Sequence, residues 1–235
     1  MNAIYRSLRN RLRFYRHHRP FELQWARVYY AQYGEDIVMA EYFRGMRDGF
    51  YVEVGAFHPI LYSNTYRFYK AGWHGITIEP NPLRASLFRR CRPRDIMIQC
   101  AISADEGTAR FAIDGEYSGI DGPQYPHKDR TQKAEHIDVP TRPLRAVLDE
   151  HLRSMERGID ILSVDTEGHD YIVLTSNDWT RFRPLLAVCE AFDAETAAQL
   201  RELFHSVRYR LLAHCGPSMI FEDTDDRPGP PRGYY

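Results

Sequence analysis

Phe50-Tyr-Val-Glu-Val54 runs into Gly55-Ala-Phe-His-Pro59, and Gly75-Ile-Thr-Ile-Glu79 runs into Pro80-Asn-Pro82. Each is a short run rich in β-branched and aromatic residues, stopped by glycine or proline, which is the signature of a buried strand. Between them Tyr62 to Ala71 has the spacing of a helix. A strand, a helix and a second strand make a right-handed unit with the two strands parallel.

The same alternation extends along the chain. Gln32-Tyr-Gly-Glu-Asp36 opens a helix through Phe43, with Glu35 and Asp36 where the helix dipole favours acids. Pro82 to Cys91 reads as a helix, Ile96 to Ala101 as a third strand and Thr108 to Ile113 as a further one. Asp114 to about Asp138 is polar and contains glycine and proline, and it is long for a plain connection. Val139 to Arg142 is a short extended segment. Leu144 to Glu156 reads as a helix, Ile159 to Val164 as a strand, Tyr171 to Ser176 as a helix, Leu185 to Phe192 as a strand and Ala194 to Ser206 as a helix. Arg208 to Ala213 and Ser218 to Phe221 resemble a closing antiparallel hairpin. The expected class is α/β: a mostly parallel central sheet with helices on both faces. The expected organisation is a basic arm over residues 1–31, one domain over 32–222 and a polar tail over 223–235.

Composition agrees. The 235 residues are 43% hydrophobic and 27% charged with a net charge of −1, which fits a globular chain and lacks the basic excess of a nucleic-acid binder. No apolar run is long enough to span a bilayer, and a cytoplasmic protein is expected. Arg6, Arg9, Arg11, Arg13, Arg16 and Arg19 precede the first acid, Glu22, and Tyr5, Leu8, Leu12 and Tyr15 recur at helical spacing. A basic amphipathic helix on an anionic membrane surface and a solvated arm both fit that pattern. Cys91, Cys100, Cys189 and Cys215 are scattered, without the spacing of a zinc site or a disulfide framework. Cys100 and Cys189 sit in apolar runs and are expected in the core.

In parallel sheets ligands collect at the carboxyl ends of the strands, and the notable polar residues fall there. Gly55 allows close approach of backbone and ligand. Glu53 is an acid able to accept from a cationic amine. Glu79, 26 residues on, is placed as the acid that binds ribose hydroxyls in dinucleotide folds. Together these point to a nucleoside-containing cofactor. Gly55-Ala-Phe-His-Pro-Ile60 lacks the second and third glycines of a pyrophosphate-binding turn. That disfavours a dehydrogenase and suits S-adenosylmethionine, which has no pyrophosphate.

Four blocks then resemble the FkbM-like methyltransferases: Tyr33-Gly-Glu-Asp36; Val52 to Pro59 with Ser63-Asn-Thr65; Gly72 to Pro82; and Asp160-Ile-Leu-Ser-Val-Asp-Thr-Glu-Gly-His169. A weaker block is Val139-Pro-Thr-Arg-Pro-Leu144. The resemblance covers roughly residues 32 to 222. It implies a Rossmann-like class I methyltransferase acting on a hydroxyl, commonly of a sugar. It places Glu53, Gly55 and Ala56 at the methionine end of the cofactor, Glu79 on the ribose, Asn81 near the adenosine, and Ala101 and Ile102 beside the adenine. Ser63, Asn64 and Thr65 either contact the cofactor or substrate or cap a helix. Tyr33 and Glu35 either close over the methionine end or simply start a helix. Two departures stand out: Glu53 replaces the more usual aspartate, and His58-Pro59 replaces a small Asn-x-Gly type of turn.

Transfer to a neutral hydroxyl calls for a general base. His58 and His169 are candidates because histidine titrates near neutrality, and Asp165 and Glu167 are alternatives. Asp165, Glu167 and Glu190, as hard oxygen ligands, suit Mg²⁺. Tyr117, Ser118, Tyr125 and His127 in the long segment are candidate substrate contacts, with Gly119 and Gly122 as hinges. The competing readings are an RNA methyltransferase and a non-catalytic S-adenosylmethionine-binding module.

Overall fold

A computed structural model describes residues 26–122, 125–126, 134–153 and 158–225. The basic arm before Ala26, His127 and the end of the chain after Asp225 lie outside these residues. The elements in chain order are α1 (Glu35–Tyr42), β1 (Phe50–Val54), α2 (Tyr66–Lys70), β2 (His74–Ile78), α3 (Pro82–Cys91), β3 (Ile96–Ile98), β4 (Ala101–Ile102) and β5 (Gly107–Ile113). A 3-10 turn (Gly115–Tyr117), β6 (Gly119–Ile120), β7 (Glu135–Arg142), α4 (Leu144–Leu152), β8 (Ile161–Val164) and α5 (Asp170–Thr175) follow. The last are β9 (Leu186–Glu190), α6 (Ala194–Ser206), β10 (Tyr209–Cys215) and β11 (Ser218–Asp223).

The main sheet has seven strands in the order β10-β11-β9-β8-β1-β2-β3. β9, β8, β1, β2 and β3 are parallel, and the closing hairpin is antiparallel, with β11 antiparallel to β9. The fold is Rossmann-like. From β1 the chain builds outward through β2 and β3, then returns to the other side of β1 to lay down β8 and β9. The carboxyl ends of β1 and β8 therefore flank a topological switch point, where such sheets open a crevice.

Strand alternation divides the core. Phe50, Val52 and Val54 of β1 face a large apolar cluster with Leu144 and Leu148 of α4, Val173 and Leu174 of α5, and Leu200 and Phe204 of α6. Tyr51 faces the opposite cluster with Met39 and Phe43 of α1 and Phe68, Tyr69 and Trp73 around α2. Glu53 shares the parity of Tyr51, so its carboxylate starts from the α2 side of the sheet. Cys100 and Cys189 are buried free thiols, as expected of core cysteines.

Three segments depart from the expectation. Ile96 to Ala101 is not one strand: β3 ends at Ile98 and β4 joins a second, four-stranded sheet in the order β4-β7-β5-β6. Asp114 to Asp138 is not a plain loop. It holds the 3-10 turn, β6 and the start of β7, which pairs with β5 from Gly107–Thr141 to Ile113–Glu135. The apolar centre of the four-stranded sheet, Ala101, Phe111 and Val139, is too small and too widely spaced in sequence to announce itself as a core. Tyr62 to Ala71 is helical only from Tyr66 to Lys70, because the residues before Tyr66 are held in a loop by buried polar contacts. No helix among the described residues is long and apolar enough to cross a membrane.

Candidate active site

A cleft of ≈ 890 Å³, including the open space at its mouth, lies over the carboxyl ends of β1, β2 and β8 and is roofed by the small sheet. Of the expected residues, Glu53, Gly55, Ala56, Asn64, Glu79, Asn81, Ala101, Ile102, Ser118, Asp165, Glu167 and His169 line it. Sequence reasoning missed Gln32, Phe57, Tyr62, Arg84, Phe111, Ser163 and Thr166, which also line it. Only Phe57 carried a signal, as an aromatic residue two positions after the strand-ending Gly55.

Three of the four non-glycine residues with positive φ among those described sit at this cleft: Phe57 (φ 47°), Tyr62 (φ 57°) and Glu167 (φ 51°). Such conformations persist only where the surroundings impose them, and they cluster at functional sites. Phe57 is sandwiched between Tyr62, stacked at 6.3 Å between ring centroids, and the Arg84 guanidinium, 4.2 Å from its ring centre.

Glu79 is buried. Its Oε2 accepts from the Phe57 amide at 2.8 Å and its Oε1 from the Asn81 amide at 2.7 Å. Each oxygen keeps a lone pair for a further donor. Asn81 caps α3 by accepting from the Leu83 amide at 3.0 Å. Burial, opposed by the two amide bonds and Arg84, pushes the Glu79 pKa up to about 7.

Gly55 is required for another reason than the sequence implied. Its φ is 74°, and a Cβ there would lie 1.7 Å from the Asp165 carbonyl oxygen. The close approach seen here is between two strand ends, and Gly55 also lines the cleft.

Glu53, which lines the cleft, also holds a buried network that the sequence did not announce. Its Oε1 accepts from Ser63 Oγ at 3.0 Å, and its Oε2 from Thr65 Oγ1 at 2.7 Å and from Arg92 at 3.2 Å. Ser63 and Thr65 are buried and turn away from the cleft, whereas Asn64 between them bonds Ser163 Oγ at 3.0 Å. Tyr33 packs against Gly216 and is half-exposed. Glu35 is buried, bonded to Ser218 at 2.7 Å and to the Tyr33 amide at 2.8 Å. Neither Tyr33 nor Glu35 lines the cleft. Tyr125 is buried against Gly119 beneath the roof rather than in the cleft wall, and Tyr117 is likewise outside that wall. His127 falls outside the described residues.

The two histidines separate. His58 Nδ1 accepts from the Ile60 and Leu61 amides at 3.1 and 3.0 Å, pinning a turn, and the ring does not line the cleft. His169 lines it, at the N-terminal cap of α5, with Nε2 3.2 Å from Ser103 Oγ. Burial lowers its pKa below the ordinary histidine value, which favours the neutral ring.

Several acids are buried together near the carboxyl ends of β8 and β9. Burial first, then neighbouring carboxylates, pushes Glu167 up to about 9 and Glu190 up to about 8. Burial, opposed by bonds from Glu190 and Thr166, raises Asp170 to about 6, and burial with Glu190 and Asp170 raises Asp165 well above the usual carboxylate range. Asp165 has no Lys or Arg ion-pair partner among the described residues, which suits a cationic ligand. It does not make a metal site. Among the described residues no group of three or more His, Cys, Asp or Glu is placed to hold a metal ion. The Mg²⁺ expectation at Asp165, Glu167 and Glu190 therefore fails. Glu190 turns toward Ser218 at 3.3 Å, and the left-handed Glu167 has its Cβ against Gly119.

These raised acids predict a pH profile. The folded state binds protons more tightly than the unfolded chain, so their stabilising contribution is complete below the unfolded pKa values near 4 and is lost as pH rises through the folded ones. The Tm of the protein alone should fall steadily from pH 5 to pH 9 in a thermal melt. A flat or rising profile over that range would show that the acids are not held protonated.

The FkbM methyltransferase domain model matches residues 53–217. No curated protein matches the chain. Among solved structures, one similar fold is a TehB-like SAM-dependent methyltransferase from Corynebacterium glutamicum, at 10% identity and TM-score 0.44 over 90% of this chain and 97% of that one. Another is the precorrin-6y C5,15-methyltransferase from Geobacter metallireducens, at 10% identity and TM-score 0.42 over 79% and 84%. A third is the METTL16 MTase domain, at 9% identity and TM-score 0.47 over 82% and 67%. Likeness at this level carries no weight; the matched domain spans well over half the chain and carries the assignment. The chain belongs to the FkbM methyltransferase domain family and is an S-adenosylmethionine-dependent methyltransferase.

Proposed function

We propose that this enzyme methylates a hydroxyl oxygen of a sugar, in a glycan or glycoconjugate. One observation carries the reading: the imidazole of His169 stands in the cleft wall, with its Nε2 3.2 Å from Ser103 Oγ. A hydroxyl needs a base as its oxygen attacks, and a neutral histidine supplies one.

When bound, S-adenosylmethionine supplies an electrophilic methyl on a cationic sulfonium. Glu79, fixed by the Phe57 and Asn81 amides, is placed to accept from the two ribose hydroxyls. Ala101 and Ile102 offer an apolar wall for the adenine. Asp165, without a Lys or Arg ion-pair partner among the described residues, offers a carboxyl group that a cationic ligand would draw toward its ionised form. His169 takes the proton of the acceptor hydroxyl, and Tyr62 offers an aromatic face suited to a sugar. Orientation does much of the remaining work, since the electrophile is already activated.

Glu79→Ala should weaken S-adenosylmethionine binding by about 10²-fold in calorimetry, the cost of losing both a charged acceptor and the two amide anchors. Unchanged affinity would remove Glu79 from the ribose. The acceptor class is tested by mass spectrometry of cell-surface glycans with and without this protein, and by transfer of labelled methyl to glycan and RNA fractions. Loss of a methyl-bearing glycan is the expected result. Label entering RNA alone would replace the reading with RNA methylation, and label entering neither fraction with a binding module.

A further inference from the structure

We propose that Arg92 is the positioning residue of the cofactor cleft: it clamps Glu53, Ser63 and Thr65 together, so that the loop between β1 and α2 presents Asn64 and Tyr62 in the cleft wall. This rests on the cleft's being the S-adenosylmethionine site.

Arg92, at the C-terminal cap of α3, is 1% exposed. A guanidinium is buried so completely only when its donors are matched. Its partners come from three separate segments. Glu53 Oε2 on β1 lies at 3.2 Å, Asp95 Oδ2 before β3 at 2.6 Å, and Thr65 Oγ1 and Ser63 Oγ in the loop at 2.8 and 3.3 Å. The rings of Tyr51, Tyr69 and Phe88 surround it, each centroid within 5.3 Å. Asp95 is fixed in turn by Tyr51 Oη at 2.6 Å and the Gly75 amide at 3.1 Å.

The consequence lies in the loop. Ser63 and Thr65 are both drawn down to Glu53 and Arg92. Asn64, between them, is left to cross to Ser163 on β8 and to line the cleft. Tyr62, next in line, is held at φ 57° and also lines it. A left-handed tyrosine needs an outside constraint. The clamp supplies it at this end of the loop, and Glu79 supplies one at the Phe57 end. Arg92 itself is not among the cleft-lining residues, so it acts through the residues it holds.

An ion pair far from the cleft provides the control. Arg183 bonds Asp223 at 2.6 and 3.1 Å beside the closing hairpin. S-adenosylmethionine binding to the full chain is measured by calorimetry for wild type, Arg92→Lys and Arg183→Lys, with hydrogen exchange over residues 57–65. Arg92→Lys keeps the charge but cannot serve all four partners. It should raise Kd by about 10- to 100-fold, the scale of an ångström-level misplacement, and speed exchange in the loop. Arg183→Lys should lower Tm while leaving Kd and loop exchange unchanged. If Arg92→Lys binds like wild type, or loses no more affinity than Arg183→Lys, the proposal is overturned. If Arg92→Lys does not fold, Thr65→Val, which removes a loop partner of Arg92 that does not line the cleft, takes its place: weaker binding with a faster loop supports the clamp, and wild-type values overturn it. Failure of wild type itself to bind would instead remove the cofactor assignment.

Discussion

Gly55→Ala should cost about 4 kcal/mol or more, among the largest effects of any single substitution, and should abolish S-adenosylmethionine binding. Two penalties add. The first is the left-handed backbone at φ 74°, about 1–2 kcal/mol for any residue with a Cβ. The second is steric: the Cβ would sit 1.7 Å from the carbonyl oxygen of Asp165. That carbonyl belongs to the backbone, so no side chain can swing aside. Relief requires β1 and β8 to part at the switch point, which moves Ala56 and Asp165 out of place together. The internal control is Gly34→Ala. Gly34 has φ 85°, but a Cβ added there would meet nothing within 4 Å, so it carries the backbone penalty alone. Thermal melts should show a fall of roughly 10 °C or more for Gly55→Ala, at 2–4 °C per kcal/mol for a chain of this size. Equal losses for the two variants would mean that the strand ends are free to separate and that the glycine serves only its own turn.

His169→Ala should lower kcat by about 10²–10⁴-fold, the usual contribution of a positioned general base, with S-adenosylmethionine affinity little changed. The sign of the pH dependence follows from its surroundings. Burial lowers the His169 pKa, so the wild-type rate should rise with pH below neutrality and be flat by about pH 7, in the sense expected of a base that must be unprotonated. The variant should lose that acid limb. His58→Ala should leave the limb in place, because the His58 ring pins the Ile60 and Leu61 amides rather than facing the cleft. Full turnover in His169→Ala would pass the role to Asp165 or Glu167, whose raised pKa values would put the acid limb at a distinctly higher pH.

The two histidines show where sequence reading stops. Both follow a strand end, and both are of the right chemical type. What separates them is a hydrogen bond: backbone amides two and three residues away for His58, a serine hydroxyl 66 residues away for His169. The trio Ser63-Asn64-Thr65 makes the same point. All three are short, polar and fit to cap or to bind, yet two are sealed against Arg92 and one faces the cleft. Arg92 itself carries no signal in the sequence, since its partners Glu53, Ser63 and Thr65 lie 27 to 39 residues earlier. The small sheet is also illegible there. Its strands β4 and β6 are two residues each, too short for alternation to register.

By itself the sequence determined the parallel sheet, its strand ends, the fixed acid Glu79 and the family. These depend on local periodicity and on chain punctuation by glycine and proline, which neighbouring residues are enough to specify. The tertiary structure alone decided which polar groups are available for chemistry. A carboxylate, hydroxyl or imidazole is free to act only if nothing else in the fold has claimed its lone pairs, and those claims are made across distances that no local pattern records. Glu53 reads in sequence as a cofactor ligand and, in the cleft wall, also anchors a buried clamp, while Gly55 reads as room for a ligand and also makes room for Asp165.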